Sequence, residues 1–402
     1  MKRIVITGLG VISPIGNNVP QFEASLRLGR GGVKENRWHN TEGFTSKELG
    51  KIEGFEPPSW LGRRQRRHCS IVDLYALAAA GESLDAARLG AEDLRRLTVG
   101  VVLGSGGAVS DTEAYVAKSI RGDAKVPSKL LASNPDSAGN AIAAHFGLHG
   151  PRSSIMTACS SGATAVGYAA DFIQEGYADV MLAGGVEGVS YVTLSGFNAL
   201  GALSAGKNRP FDLNRDGIVL GEAGAVLVME TLEHAVGRGA PILAEFVAYG
   251  LSSDANHITA PHPEGDGMAR AMRQAMARGG VAAEQIRYIN AHGTGTPLND
   301  KSESAAVRNV FGEHARKLCM STIKPMIGHT LSAAGAIEAA ATVLSLYGQF
   351  APPTLNFETP DPDCGIDCVP NVARNLAMDY AMSNSLAFGG NNTSLIFQRY
   401  QG

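Results

Sequence analysis

One cysteine stands where a nucleophile would be useful. The segment IMTACSSGATAVG, residues 155–167, ends an apolar run at Cys159 and continues as the small residues of a helix start. Unpaired backbone N–H groups and the helix dipole at such a start favour the thiolate, and they can also bind a developing oxyanion. The competing interpretation is a small core residue, because free cysteine packs well inside proteins.

Two histidines lie in glycine-rich turns of the second half. His292 is in NAHGTGTPLND, and His329 is in KPMIGHTLSAAG at the start of another small-residue helix. A covalent cysteine mechanism needs imidazoles or an amide nearby, although a single histidine is usually a surface or core residue. Lys324 follows the apolar run LCMST, where burial requires a carboxylate partner. Glu338 on the next helix is the candidate.

The segments around these residues alternate between strand and helix patterns. RLTVGVVLGSGG predicts a buried strand that enters a glycine turn, ATAVGYAADFIQEG predicts a helix that ends at Gly176, and ADVMLAGGVE predicts the next strand. Buried strands in this alternation are typical of an α/β fold.

The second half of the chain echoes the first in the same order. TVGVVLGSGG matches IRYINAHGTGT, SSIMTACSSGATAVGYAADFI matches CMSTIKPMIGHTLSAAGAIEAAATVL, and ADVMLAGGVEG matches AMSNSLAFGGNNTSL. The echo places the cysteine, both histidines and Phe388 at the ends of equivalent strands, where sites of such sheets lie. We predict two similar halves, with the nucleophile in 1–237 and the histidines and lysine in 238–402.

Composition limits the classes of function. The 402 residues are 44% hydrophobic and 18% charged, as in globular proteins, and the net charge of −3 argues against a protein that coats nucleic acid. Five cysteines make no disulfide framework, and Cys364 and Cys368 lack the second ligand pair of a zinc site. No apolar run reaches the roughly 18 residues of a membrane span. We expect a cytoplasmic protein without membrane or nucleic-acid partners.

Together these segments resemble a β-ketoacyl–acyl carrier protein synthase of the elongating Cys-His-His group. The resemblance rests on TACSSG, NAHGTGT, STIKPMIGHTLSAAG, RPFDLNRDGIVLGEAGA and NSLAFGGNN, in order and spacing over almost the whole chain. It implies a thiolase-like α/β fold of two similar halves, with mixed five-stranded sheets in αβαβα layers. It also implies 3-oxoacyl-[acyl carrier protein] synthesis in a fatty-acid, polyketide or polyene pathway, with no cofactor besides the carrier's phosphopantetheine.

The resemblance implies a role for each matching catalytic residue. Cys159 takes the acyl chain as a thioester, and its own N–H and that of Phe388 form the oxyanion hole. His292 and His329 assist loss of carbon dioxide from malonyl-acyl carrier protein and stabilise the enolate, which then attacks the acyl thioester in a Claisen condensation. Lys324 orients the site, together with Glu338. Which histidine handles water or bicarbonate stays open.

Other positions match binding residues of the family. Thr294 and Thr296 match residues that hydrogen-bond the phosphopantetheine arm, and Phe388 matches a gating aromatic. Gly107 and Phe197 match acyl-pocket positions. The residues that match an optional structural cation site are Asn290, Glu338, Ser383 and Asn384. No catalytic metal is implied.

A basic segment is the candidate docking surface for the acidic carrier protein that the resemblance implies. GRRQRRHCSIVDLYAL places four arginines ahead of a helix, and a basic patch on a slightly acidic protein would steer such an encounter. We assign docking to Arg63, Arg64 and Arg67, with Lys125 and Lys129 as the next candidates. The alternative is a solvated charge run.

Several alternatives bear on the resemblance. A thiolase would carry a second cysteine near NSLAFGGNNTS, and a CoA-primed synthase would carry asparagine in place of His329. A chain-length-factor subunit would lack Cys159, although a non-catalytic partner stays open if the pocket is blocked. Ala387 and Asn391 in AFGGNN depart from the common family pattern, so the substrate is open. Both a homodimer and a heterodimer with a paralogue are consistent with the sequence.

Overall fold

The structure is a computed structural model that describes residues 2–122, 130 and 133–402, so Lys125 and Lys129 lie outside the described residues. Its strands are β1 (Ile4–Ile12), β2 (Lys34–Glu35), β3 (Glu48–Leu49), β4 (Val99–Ser105), β5 (Arg152–Ile155), β6 (Val180–Glu187), β7 (Ala223–Thr231), β8 (Ala244–Ser253), β9 (Ile286–Asn290), β10 (Cys319–Ser321), β11 (Phe350–Ala351), β12 (Arg374–Asn375), β13 (Tyr380–Leu386) and β14 (Asn391–Gln398).

The described helices lie between these strands, singly or in groups of two or three. They are α1 (Val19–Leu28), α2 (Arg63–His68), α3 (Ile71–Ala86), α4 (Ala91–Arg96), α5 (Val109–Ile120), α6 (Ser137–Phe146), α7 (Ser161–Gln174), α8 (Tyr191–Ala199), α9 (Leu232–Gly237), α10 (Asp266–Gly279), α11 (Pro297–Phe311), α12 (Lys324–Ile327) and α13 (Ala334–Gly348). Short 3₁₀ turns include Ala158–Ser160, Ala283–Gln285, Gly312–Lys317, Leu331–Ala333 and Phe388–Gly390.

Ten strands form one mixed sheet in the order β10-β9-β13-β14-β8-β1-β7-β6-β4-β5. Each half of the chain supplies five adjacent strands, with the same order and the same parallel and antiparallel pairs. The sequence predicts two five-stranded sheets, and the structure joins them edge to edge because residues 4–6 of β1 pair with residues 244–246 of β8. The repeated topology confirms two similar α/β halves.

Helices α7 and α13 form the central layer. They pack against each other, and each contacts strands from both five-stranded units. Helices α3 and α6 pack on the first unit, while α10 packs on the second and α11 on α10. The arrangement is the predicted αβαβα layering.

Two glycines allow the central helices to approach closely. A Cβ atom on Gly162 of α7 would lie 2.7 Å from the backbone nitrogen of Ala336, and one on Gly335 of α13 would lie 2.5 Å from that of Ala163. Both separations are too short for any side chain, so this crossing requires glycine on each helix. The crossing places the starts of α7 and α13 side by side.

Helix α13 is a core element. Within the described part of the chain, the stretch Leu331–Gly348 is long and apolar enough to cross a membrane, but 83% of it is buried inside the protein. Burial of that extent is typical of the central helix of a large α/β fold.

Candidate active site

Cys159 lies in a tight turn between β5 and α7. The preceding residue, Ala158, has a φ of 50°, which is unfavourable for a residue with a side chain. Ser161 holds the turn, because its hydroxyl donates to the Ala158 carbonyl at 2.6 Å and accepts from the Thr157 N–H at 2.9 Å. The strained backbone therefore presents the cysteine at the predicted helix start.

Burial dominates the titration of this thiol. It raises the pKa of Cys159 to about 11, although the Lys324 ammonium and the Phe388 N–H act in the opposite direction. The helix-start position by itself predicts a lowered pKa, and burial outweighs it here because Cys159 is only 6% exposed. At neutral pH the cysteine therefore rests as a thiol, with a backbone N–H directed at its sulfur.

The two predicted histidines are neighbours. The ring centroids of His292 and His329 are 5.3 Å apart, with the planes at 83°. The Nδ1 atom of His329 accepts from the Leu331 N–H at 3.2 Å, and the Nδ1 atom of His292 lies 3.4 Å from the Lys324 ammonium. Because both Nδ1 atoms face donors, the proton of each neutral ring is assigned to Nε2.

Both imidazoles are held in their neutral form. Burial lowers the pKa of His292 and of His329 well below 6.5, and the positive charge of Lys324 lowers it further. A neutral ring with a protonated Nε2 is a hydrogen-bond donor that carries no net charge. Two such donors suit the stabilisation of a developing anion.

Two buried carboxylates hold the His292 turn, one of them through Lys324. Its ammonium donates to the carbonyl of His292 and to Glu338 Oε1, so the carboxylate partner is the predicted one. On the other side, Glu303 accepts from the backbone N–H groups of His292 and Gly293, each at 2.9 Å. The His292 turn is therefore fixed from both sides.

Sequence reasoning missed Glu303 and Glu187, two buried acids near the site. Glu303 lies on the buried face of α11, three residues after buried Asp300 and four before buried Val307, and that helical spacing is a usable signal. Glu187 ends the otherwise apolar strand β6, where a charge is unusual. Burial raises the pKa of both carboxyls to about 7.

A cavity of about 420 Å³ brings most of the predicted residues together. The predicted residues that line it are Cys159, His292, His329, Thr294, Thr296, Phe197 and Phe388. The rings of Phe197 and Phe388 stack with centroids 5.8 Å apart, and the hydroxyls of Thr294 and Thr296 lie 2.9 Å apart. Neither Gly107 nor α2 lines this cavity.

Three of the four predicted cation residues have buried side-chain oxygen atoms that are left unpaired. Asn290 Oδ1, Glu338 Oε2 and Ser383 Oγ are buried and have no hydrogen-bond partner among the described residues. Asn290 and Ser383 are register partners in β9 and β13, and amide, hydroxyl and carboxylate oxygen atoms are of the kind that bind hard cations. The Asn384 side chain does not join them, because it accepts from Ser394 and alternation along the strand turns it to the other face.

Comparisons with known proteins identify the family that the chain matches. Residues 1–235 match the family model described as "Beta-ketoacyl synthase, N-terminal domain", and residues 243–358 match "Beta-ketoacyl synthase, C-terminal domain". The chain is 39% identical over 409 residues to the 3-oxoacyl-[acyl-carrier-protein] synthase 2 of Staphylococcus aureus (strain N315), with 100% of this chain and 99% of that protein covered.

Two solved structures are similar over the whole chain. The ishigamide ketosynthase/chain length factor is 38% identical with a TM-score of 0.95, and 99% of each chain is covered. The second is a complex of a type II PKS acyl-carrier protein with its ketosynthase bound to the hexaketide. The matched chain of this complex is 32% identical with a TM-score of 0.90, and 100% of both chains is covered.

Proposed function

The chain belongs to the β-ketoacyl synthase family and is a condensing enzyme of fatty-acid or polyketide biosynthesis, and from this we propose how its own residues perform the reaction. Cys159 holds the acyl chain, and His292 and His329 generate the nucleophile from a malonyl thioester. Lys324 and Glu338 hold the His292 turn in place.

In the first half-reaction, the Cys159 sulfur attacks the acyl thioester of a carrier protein. The Cys159 thiol gives up its proton, and the released carrier sulfur takes one up and leaves as a thiol. Backbone N–H groups of Cys159 and Phe388 bind the thioester oxygen as it becomes negative. The product is an acyl-Cys159 thioester.

In the second half-reaction, the malonyl thioester loses carbon dioxide. Its carbonyl oxygen accepts from the Nε2–H groups of His292 and His329 and becomes the enolate oxygen. The enolate carbon attacks the acyl-Cys159 carbonyl, a carbon–carbon bond forms and the carbon–sulfur bond to Cys159 breaks. The 3-ketoacyl carrier product leaves, and the Cys159 thiolate takes a proton from water.

The donor arrangement at the two histidines is the observation that carries this proposal. Their Nδ1 atoms face the Leu331 N–H and the Lys324 ammonium, so the Nε2–H groups are available to substrate. The cavity is lined by Cys159 and both rings rather than blocked, which supports catalysis over a scaffold role.

Intact-protein mass spectrometry tests the proposal. Incubation with an acyl carrier thioester is expected to add the acyl mass at Cys159, and malonyl carrier is then expected to remove it as a 3-ketoacyl product. A folded protein that gains no acyl mass would instead be a chain-length-factor-like subunit.

We further propose that the carrier protein docks on α2. Arg63, Arg64 and Arg67 are exposed, whereas the guanidinium of Arg66 donates to the carbonyls of Pro58 and Leu61, both at 2.7 Å. Three of the four arginines are therefore free to meet an acidic partner. A carrier protein in complex with a similar ketosynthase supports this type of partner.

A dimer through the free edge of β5, which pairs with no other strand among the described residues, completes the proposal. β5 is the last strand of the sheet, and Met156 directly after it is 65% exposed. On α5, which follows the neighbouring strand β4, Val116 and Ile120 are 47% and 82% exposed. We propose that the protein is a homodimer in the cytoplasm, and that the two halves of each chain divide at residue 237. The alternative is a heterodimer with a paralogue, which the similar ketosynthase/chain length factor structure suggests.

A further inference from the structure

Glu187 is a buried carboxylate that the proposed reaction does not use. It is 6% exposed at the end of β6. The buried acids Glu338 and Glu222 have ion-pair partners in Lys324 and Lys51, but the ion pairs of the described residues include none for Glu187. A buried carboxylate without a cation is costly, so its position calls for a local reason.

Neutral donors surround this carboxylate. The Ser332 hydroxyl donates to Glu187 Oε2, and backbone N–H groups of Ser332, Gly188 and Gly106 are directed at the carboxylate. The Gly106 N–H also donates to the Ser332 hydroxyl oxygen at 3.1 Å. Glu187 and Ser332 therefore tie the end of β6 and the turn after β4 to the turn that begins α13.

That last turn also carries the hydrogen bond of His329. Leu331, the residue before Ser332, has a φ of 47°, and its N–H is the donor to His329 Nδ1 at 3.2 Å. A residue with a side chain keeps such a backbone conformation only when its surroundings hold it. The Ser332 side chain is anchored on one side of Leu331, and His329 accepts on the other.

The two halves of the protein build this turn twice. Ala158, Cys159 and Gly162 in the first half correspond to Leu331, Ser332 and Gly335 in the second. Both turns are 3₁₀ turns with a positive φ at the first residue, and both lead into a central helix through the paired glycines. In the first half the middle residue is Cys159, the proposed nucleophile. In the second half it is Ser332, whose hydroxyl donates to Glu187.

We propose that Glu187 is a positioning residue. Through Ser332 it fixes the turn that supplies the Leu331 N–H to His329 Nδ1, and so keeps the proton of His329 on Nε2. The inference rests on the proposed function for its effect on rate, but its effect on the tautomer of His329 is independent of that function.

Two partial reactions and one spectrum test the proposal in the full-length protein. Acyl transfer to Cys159 is followed by mass, and decarboxylation of malonyl carrier is measured in a Cys159→Gln background. The tautomer of His329 is read from ¹⁵N NMR of histidine-labelled protein, with the signal assigned from its loss in His329→Asn. The variants are Glu187→Ala, Glu187→Gln and Ser332→Ala.

We expect Glu187→Ala and Ser332→Ala to lower kcat for decarboxylation about tenfold, with KM for malonyl carrier changed less than about twofold. The acyl-transfer rate stays near that of the parent, and the Nδ1 signal of His329 moves toward the protonated position. Glu187→Gln recovers most of the decarboxylation rate, because its amide oxygen still accepts from Ser332.

Glu82→Gln is the matched control. Glu82 is a partly buried carboxylate of α3 that accepts from the Val11 and Val19 N–H groups at 2.9 and 2.7 Å, and it does not line the active-site cavity. It is expected to change neither partial reaction. The change in melting temperature of Glu82→Gln shows how much stability is lost when a partly buried carboxylate away from the site is altered.

Two outcomes would overturn the inference. One is an unchanged His329 tautomer in both Glu187→Ala and Ser332→Ala. The other is an equal loss of acyl transfer and decarboxylation, which indicates a purely structural role. If His329→Ala decarboxylates normally while the tautomer still responds to Glu187, the proposed role of His329 fails and the positioning role stands. If Glu187→Ala does not fold, Ser332→Ala gives the same readouts.

Discussion

The protonation state of Cys159 is set by its burial rather than by its place at a helix start. Burial raises the pKa of its thiol to about 11, so the thiolate fraction keeps growing across the accessible pH range. Alkylation of the free enzyme by iodoacetamide at Cys159 should rise about tenfold per pH unit from about pH 7 to about pH 9.5. Cys159→Ala gives the background rate, and a plateau near neutral pH would show a lowered pKa instead.

The two histidines should share one signature. In the Cys159→Gln background, His292→Ala and His329→Ala should each slow malonyl decarboxylation by roughly 10²-fold, as expected when a donor to a developing anion is lost. Acyl transfer in the Cys159 protein should survive in part. Variants that transfer acyl groups poorly but decarboxylate normally would reverse the assignment.

The same background also tests the charge of these rings. Burial and Lys324 lower the pKa of both imidazoles well below 6.5, so their neutral form persists as the pH falls through that value. Decarboxylation by Cys159→Gln should therefore be nearly constant between about pH 6 and about pH 8. A histidine ¹⁵N signal of either ring that titrates near pH 6.5 would show that this imidazole has an ordinary pKa. A rate change without such a signal would be assigned to Glu187 or Glu303, because burial raises the pKa of both carboxyls to about 7.

At this scale the sequence located the proposed reacting groups, which line one cavity, better than the residues that hold them in place. Cys159 and both histidines could be located because a nucleophile and imidazoles need turns that expose them, and such turns leave a glycine pattern. Glu303 and Glu187 leave no glycine pattern, because the backbone N–H groups that bind each acid meet only in the folded chain. The helical spacing of Glu303 indicates that it is buried but not what it binds. The motif match placed Asn384 with the predicted cation residues, but it does not take strand alternation into account. That alternation turns the Asn384 side chain to the other face of the sheet.

Among the elements, the crossing of α7 and α13 sets the geometry of the site. Gly335→Ala should lower the free energy of unfolding by roughly 1–3 kcal/mol. The added methyl group would collide with Ala163, and the cost of this overpacking exceeds the gain from the higher helix propensity of alanine. Gly139→Ala on α6 is the matched control, since its nearest neighbour, a Val101 methyl, would be 3.8 Å away. It should be neutral or slightly stabilising. Denaturant unfolding of both variants measures the difference, and equal stabilities would contradict close packing at the crossing.

Helix α2 carries the prediction about the carrier protein. Reversing Arg63 and Arg67 to glutamate should raise KM for acyl carrier about fivefold or more and weaken its salt dependence, with little effect on a small carrier-free thioester. Arg95 and Arg96 on α4 are exposed and make the matched double reversal. If KM rises equally for both substrates, the α2 arginines stabilise the fold instead of binding the carrier. If neither suffers, docking lies elsewhere.

The order of strands and helices was largely predictable, because each echoing motif carries its own strand, turn and helix signals. The joining of the two five-stranded units was not. It depends on pairing between residues 4–6 and 244–246, strand ends that are about 240 positions apart and carry no turn signal. Pairing between edges of distant strands is settled by the packing of the whole molecule.

For the whole molecule, the free edge of β5 makes a prediction about assembly. The Pro151 carbonyl accepts from Val101 of β4, and backbone groups alternate along a strand, so the N–H groups of Arg152 and Ser154 face away from the sheet. The outward backbone groups of this edge, beside exposed Met156, can pair with the same strand of a second copy of the chain. We expect the purified chain to have about twice its mass of 41.9 kDa in light scattering.

Variants of this edge locate the interface. Ser154→Pro removes an outward N–H without removing a bond to β4, and Met156→Glu adds a charge beside it, so each should shift the protein toward the monomer. Val236→Glu on α9 is the matched control, because Val236 is 58% exposed and far along the chain from β5. A parent that is monomeric alone but forms a 1:1 complex with a paralogue would make the β5 edge a heterodimer surface. A dimer that survives both edge variants would place the interface on another face.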